Sequence, residues 1–133
     1  PTTSQWKNVS LINTTRDITD EKNTVRKSAF SYEGYAARLL TAQEVSSGCG
    51  FTVGNDTAGE LSSKCKYLME NTNYSSSSLK TYGGWLESPN ASRSDSAWYV
   101  YAYYRNVSNY GVDYAYIRGV RPAIEVQKTN ISY

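Results

Sequence analysis

Apolar positions along this chain keep no single period, and the change of period marks its organisation. Trp6, Val9, Leu11 and Ile12 form an apolar patch that reads as a first strand. Residues 14–34 are polar and charged, with Ile18, Val25 and Phe30 as scattered anchors, and read as a long loop or irregular arm. The run Tyr35, Ala36, Ala37, Arg38, Leu39, Leu40 reads as a short strand. Two capping boxes follow, in which a threonine side chain and a glutamate three residues on satisfy each other's backbone N–H groups. Thr41 with Glu44 predicts a short helix stopping near Gly48. Thr57 with Glu60 predicts a longer one, in which Leu61, Cys65, Leu68 and Met69 share a face and which Asn71 and Asn73 end. The serines from Ser75 to Ser78, leading to Gly83 and Gly84, read as a loop.

From Trp85 the period becomes two. Trp85 and Leu86 open a strand that Pro89 ends. Over residues 97–104, Trp98, Val100 and Ala102 fall on one face and Tyr99, Tyr101 and Tyr103 on the other. The alternation recurs around Val107 and Val112. A last strand places Val120, Pro122, Ile124 and Val126 on one face, and Arg121, Ala123 and Glu125 on the other. Trp85 and Trp98 fall on the apolar phase and are expected in the core, and Gly119 is expected to set a turn or bulge before the last strand. The order predicts an α+β domain, two helices followed by a mostly antiparallel β-region.

The 133 residues fit a single domain, 1–133, with 1–34 as N-terminal strand and irregular arm. A net charge of +2 from 14 basic and 12 acidic residues argues against an electrostatic nucleic-acid binder. The chain has no histidine, which removes the Ser-His-Asp triad and the imidazole metal site. No run approaches the roughly 18 apolar residues of a membrane span, so no direct membrane insertion is expected. No signal peptide is visible, and the start at Pro1 reads as a trimmed ectodomain. Cys49 and Cys65 lack the spacing of a metal or redox pair. They read either as a disulfide, closing a loop worth on the order of 3 kcal/mol and implying an oxidising compartment, or as two buried thiols. Seven N-x-S/T sequons, at Asn8, Asn13, Asn55, Asn73, Asn90, Asn106 and Asn130, are what an Asn-, Ser- and Thr-rich chain produces by composition. Glu87 and Asp95 read as ordinary surface acids rather than a glycosidase pair, and Arg121 as a structural cation.

The chain has 13 Tyr against 2 Phe, and seven of those tyrosines lie in residues 99–118. Tyrosine favours strands, so a half-exposed sheet accounts for some of the excess. A row of Tyr with Ser, Asn, Asp and Gly between is also the chemistry of a paratope, where rigid aromatic area is combined with adaptable hydrogen bonds. Exposed aromatic surface of that extent marks a contact site.

The segments Gly84-Trp85-Leu86-Glu87-Ser88-Pro89, Ala97-Trp98-Tyr99-Val100 and Gly119-Val120-Arg121-Pro122-Ala123-Ile124 resemble the G-x-W-x-x-S/T-P, A-W-x-V and closing G-V-R-P-x-I segments of a bacterial surface-domain family. Ala37-Arg38-Leu39-Leu40-Thr41, with Glu44 and Val45, is similar to the family's A-R-L-L-T-x-x-E entry to the first helix. The resemblance covers residues 35–126. It implies a C-type-lectin-like fold, a place on the bacterial cell surface, often beside a pilin-like N-terminus, and kinship with variable proteins of diversity-generating retroelements. There, adenine changes in Asn codons cannot yield Lys, Glu, Gln, Met or Trp, and residues 99–118 contain none of these. Val100, Val107 and Val112 would be unvaried scaffold positions.

The resulting expectation is a non-catalytic, extracellular, adhesin-like domain that binds a protein or glycan on another cell or surface. Its contact residues would be Tyr99, Tyr101, Tyr103, Tyr104 and Arg105, then Asn106, Ser108, Asn109 and Tyr110, then Asp113, Tyr114, Tyr116 and Arg118. Tyr99, Tyr101 and Tyr103 are expected exposed, and Trp98 and Val100 buried. A calcium-dependent sugar site would carry E-P-N or Q-P-D with W-N-D, of which Glu87-Ser88-Pro89-Asn90 only echoes the first, so neither metal nor cofactor is expected. A formylglycine-generating enzyme of the same fold would need a cysteine or metal centre. Two other readings use the same residues, a pilus subunit packed through its tyrosines and a phage receptor-binding protein.

Overall fold

The computed structural model describes residues 11–49, 53, 57–60, 83–101, 106–113, 119–120 and 122–125. Among them are seven strands and one helix: β1 (Thr15–Thr19), β2 (Val25–Ser31), α1 (Ala42–Cys49), β3 (Thr57–Glu60), β4 (Gly84–Pro89), β5 (Ser96–Tyr101), β6 (Asn106–Gly111) and β7 (Gly119–Val120). β1 and β2 form a hairpin, and the others form a five-stranded sheet in the order β3-β6-β5-β4-β7, antiparallel except where β7 runs parallel to β4.

This corrects the expected α+β, C-type-lectin-like architecture with two helices. Strand makes up 47% of the described residues against one short helix, so the class is mostly β. The second capping box fails at its first turn. Thr57–Glu60 is a strand paired with β6, Thr57 opposite Ser108 and Ala58 opposite Val107. A Thr-x-x-Glu spacing satisfies two N–H groups, which a sheet ladder satisfies equally well. The rest of that expected helix, with Cys65, lies outside the described residues.

The first box does form. Thr41 Oγ1 accepts the Glu44 N–H at 3.0 Å, and Glu44 Oε2 accepts the Thr41 N–H at 2.8 Å. The helix ends at Cys49, a residue beyond the expected Gly48. Its buried residues, Ala42, Val45 and Cys49, lie on one face and meet Leu86, Trp98, Val100 and Val107 from the sheet, with Leu40 and Val53 packed at the margin. Ser88 Oγ accepts the Ala42 N–H at 3.0 Å, tying the helix start to β4.

The arm expected over 14–34 is mostly the β1–β2 hairpin. Asp20 builds its turn, with Oδ1 accepting the N–H groups of Lys22 and Thr24 at 2.8 and 3.0 Å, and Asn23 takes a left-handed φ of 62°. β2 is exposed throughout, which is why no apolar alternation announced it. The expected strand over 35–40 contributes only one bridge, Arg38 with Ala123. Leu11 of the expected first strand is buried and Ile12 exposed, while Trp6 and Val9 lie outside the described residues.

The last strand is turned over relative to expectation. Val120 and Ile124 are 65% and 37% exposed and Pro122 is exposed, whereas Ala123 and Glu125 face the protein. The polar bonds of Glu125 and the bridge of Ala123 decide the orientation, because a two-residue edge strand buries too little apolar area to do so. Gly119 lies within β7 itself, and the positive φ beside it belongs to Gly83, at 78°. Val112, expected as scaffold, stands in the turn after β6 and is 60% exposed.

Candidate functional site

β5 is central in its sheet, and its pleat sends successive side chains to opposite faces. Trp98 and Val100 go to the helix side, where Trp98 is fully buried. The indole Nε1 donates to Glu21 Oε2 at 2.9 Å, and the same oxygen accepts the Ala91 N–H at 2.9 Å, so one carboxylate joins the hairpin, the 90–95 loop and the sheet.

The opposite face carries the aromatic side chains. Tyr99 stands opposite Trp85 on β4 and opposite Ser108 on β6, and Tyr101 stands opposite Asn106. The Tyr99 ring meets Trp85 edge-on at 5.7 Å and a tilted Tyr101 at 5.4 Å. Ala97 stands opposite Tyr110. This places Trp85, Tyr101, Asn106, Ser108 and Tyr110 together as a half-buried aromatic and polar surface.

Three expectations are corrected here. Tyr99 is 3% exposed and forms the floor of the cluster rather than its outer surface, with Trp85 and Tyr101 packed against its ring. Asn109 is paired with Trp98, so the pleat puts it on the helix side, away from Ser108 and Tyr110. Trp85 is half-buried on the aromatic face, and Leu86 takes the core position beside it. Asp113 is exposed in the turn beyond β6. Tyr103, Tyr104, Arg105, Tyr114, Tyr116 and Arg118 lie outside the described residues, as does Arg121.

A second constellation lies at the β4–β7 edge and was missed in the sequence. Arg38, whose side chain is 8% exposed, bonds Glu125 Oε1 at 2.8 Å and both carboxylate oxygens of Glu44 at 2.8 and 2.5 Å. Arg16 lies 3.4 Å from Glu87 and 3.9 Å from Glu125. The Tyr32 hydroxyl donates to Glu87 Oε1, while Glu87 Oε2 is buried without a hydrogen bond. Burial and the Glu87 carboxylate raise the Tyr32 hydroxyl well above its ordinary value. Burial pushes Glu44 and Glu125 up, but Arg38 and Arg16, with the Thr41 N–H on Glu44 and the Asn13 N–H on Glu125, together outweigh it and both end below the ordinary carboxylate value. These groups start from separate parts of the sequence, and only the fold shows that they meet.

Glu87 and Asp95 have unlike surroundings. Glu87 is enclosed by Arg16 and Tyr32, while the Asp95 side chain is 60% exposed and paired with Arg93 at 3.4 Å. Asn90, one of the sequon asparagines, is buried and its Oδ1 accepts the Ser92 N–H at 2.8 Å. Cys49 is buried and disulfide-bonded. Among the described residues no three His, Cys, Asp or Glu side chains are placed to hold a metal ion, and no helix is long and apolar enough to cross a membrane. Compared with protein-family models, with curated proteins and with solved structures, the chain matches none of them.

Proposed function

We propose that this chain is a non-catalytic binding domain of the bacterial cell surface, in the manner of an adhesin, and that it contacts its ligand through the aromatic face of the five-stranded sheet. One observation carries the reading: the half-buried Trp85, Tyr101 and Tyr110, with Asn106 and Ser108 between, occupy the sheet face opposite the helix-packed core. Aromatic side chains flanked by Ser and Asn provide contact area at low entropic cost, with hydrogen-bonding groups that adapt to the partner. The bound Cys49 supports an oxidising, extracytoplasmic setting.

Alternation supports sequence variation on that face as well. Residues there can change while Trp98, Val100 and Val107 keep the core, since the pleat separates the two sets. The segments similar to the surface family include β4, β5 and β7, adjacent in the order β5-β4-β7. The ligand is a protein or glycan of another cell or surface. The test is binding to whole cells and to protein and glycan arrays, with a Tyr101→Ser/Tyr110→Ser variant beside the parent. Aromatic anchors contribute roughly 1–4 kcal/mol each when truncated, so the variant is expected to lose array binding. Equal binding by both proteins overturns the reading, and self-assembly into filaments abolished by the same changes favours the pilus-subunit role.

A further inference from the structure

Residues 119–120 and 122–125 meet the other described residues through a short run of backbone and charge bonds. β7 meets β4 over two residue pairs, Gly84 with Gly119 and Trp85 with Val120. The Gly119 N–H donates to the Gly83 carbonyl at 2.9 Å, and Arg38 and Ala123 exchange both backbone bonds, at 3.0 and 2.7 Å. Val120 is 65% exposed and Ile124 37%, so the hydrophobic effect gives the two-residue β7 little hold and Ile124 a partial one. Among the described residues, the side-chain bonds of this segment converge on Glu125, which takes Arg38 at 2.8 Å, the Asn13 N–H at 3.0 Å and Arg16 at 3.9 Å.

We infer that this segment is a detachable strap, clasped through Glu125 by Arg38 and Arg16, that leaves the edge of β4 while the rest of the sheet stays folded. Departure uncovers β4 at Gly84 and Trp85, and Trp85 belongs to the aromatic face. The strap thereby controls one border of that face, whatever the face binds.

The groups facing the clasp come from every element around it: Arg16 on β1, Tyr32 after β2, Arg38, Glu44 on α1, and Glu87 on β4. Neutralising Glu125 leaves Arg38 its Glu44 partner and Arg16 its Glu87 partner, so the body loses little while the strap loses its charge bonds. Acid that protonates Glu125 therefore releases the strap, at a pH below the ordinary carboxylate value, because Arg38 holds the Glu125 proton off until then.

Hydrogen exchange of the full chain tests this, comparing the parent with Glu125→Gln at neutral pH and following the parent from neutral to acid pH with intrinsic exchange rates corrected. The amides of Gly119, Ala123 and Arg38 are expected to exchange at least tenfold faster in Glu125→Gln, with Trp98 and Val107 unchanged. Unchanged protection at Gly119 and Ala123 overturns the strap. Should the variant lose protection throughout, the acid series of the parent decides. Loss at Gly119 and Ala123 before Trp98 supports the strap, and simultaneous loss contradicts it.

Discussion

Trp98 combines a fully buried ring with one polar atom, and Glu21 meets that atom at 2.9 Å. Trp98→Ala opens a large cavity and strips Glu21 of a partner, which should cost about 3–5 kcal/mol in urea unfolding. Ala29 shows the reverse situation. Its φ of 48° lies in the left-handed region, and its N–H donates to Asp17 Oδ1 at 2.8 Å. Ser28 and Ala29 together face Asp17 at a break in the β1–β2 register, so the backbone bulges there. An L side chain is strained in that conformation and glycine is not, so Ala29→Gly should stabilise by about 0.5–1 kcal/mol. An unchanged or lower urea midpoint would show that the bulge does not need that backbone angle.

Among the elements, α1 is held by its cap and by its contact with β4. Thr41→Ala removes the acceptor for the Glu44 N–H and should cost about 1 kcal/mol. The comparison with Thr57 shows how far such a pattern can be read. The same Thr-x-x-Glu spacing opens a helix at residue 41 and a strand at residue 57, because Ala42, Val45 and Cys49 have an apolar sheet to cover, while Thr57–Glu60 completes the ladder of β6. Alternation after Trp85 was legible because the core takes every second residue of β5. It misplaced Tyr99, since a period of two separates the faces but does not say whether the second is covered. The β1–β2 hairpin was illegible as apolar pattern, being exposed on β2 throughout. Its readable signal was turn chemistry, Asp20 three residues before Asn23. The Arg38 cluster gave little local signal, since its bonds reach across as many as 112 positions.

For the whole molecule, Asp20, Glu44 and Glu125 set the response to acid. Burial raises each, and hydrogen bonds outweigh it: from the Thr24 amide and Arg26 on Asp20, and from Arg38 on the two glutamates. All three end below their ordinary values of 3.8 and 4.5. The unfolded chain then binds more protons than the folded one across this window, so stability rises with pH there. The contribution is complete above the ordinary carboxylate values and is lost as pH falls through the lower folded values. Urea midpoints should be flat from neutral down to about pH 5 and drop below that. Glu125→Gln and Asp20→Asn should each flatten part of the drop.

In the proposed function the two faces of the five-stranded sheet have separate roles, one holding the fold and the other meeting a ligand. Urea unfolding of Tyr101→Ser/Tyr110→Ser, beside Trp98→Ala and the parent, tests that separation most directly. Trp98→Ala should lose about 3–5 kcal/mol. The double serine variant, cut on half-buried positions, should lose no more than about 1 kcal/mol and unfold with the parent's cooperativity. A loss in the double variant as large as that of Trp98→Ala would make those tyrosines part of the core and contradict the binding-face reading.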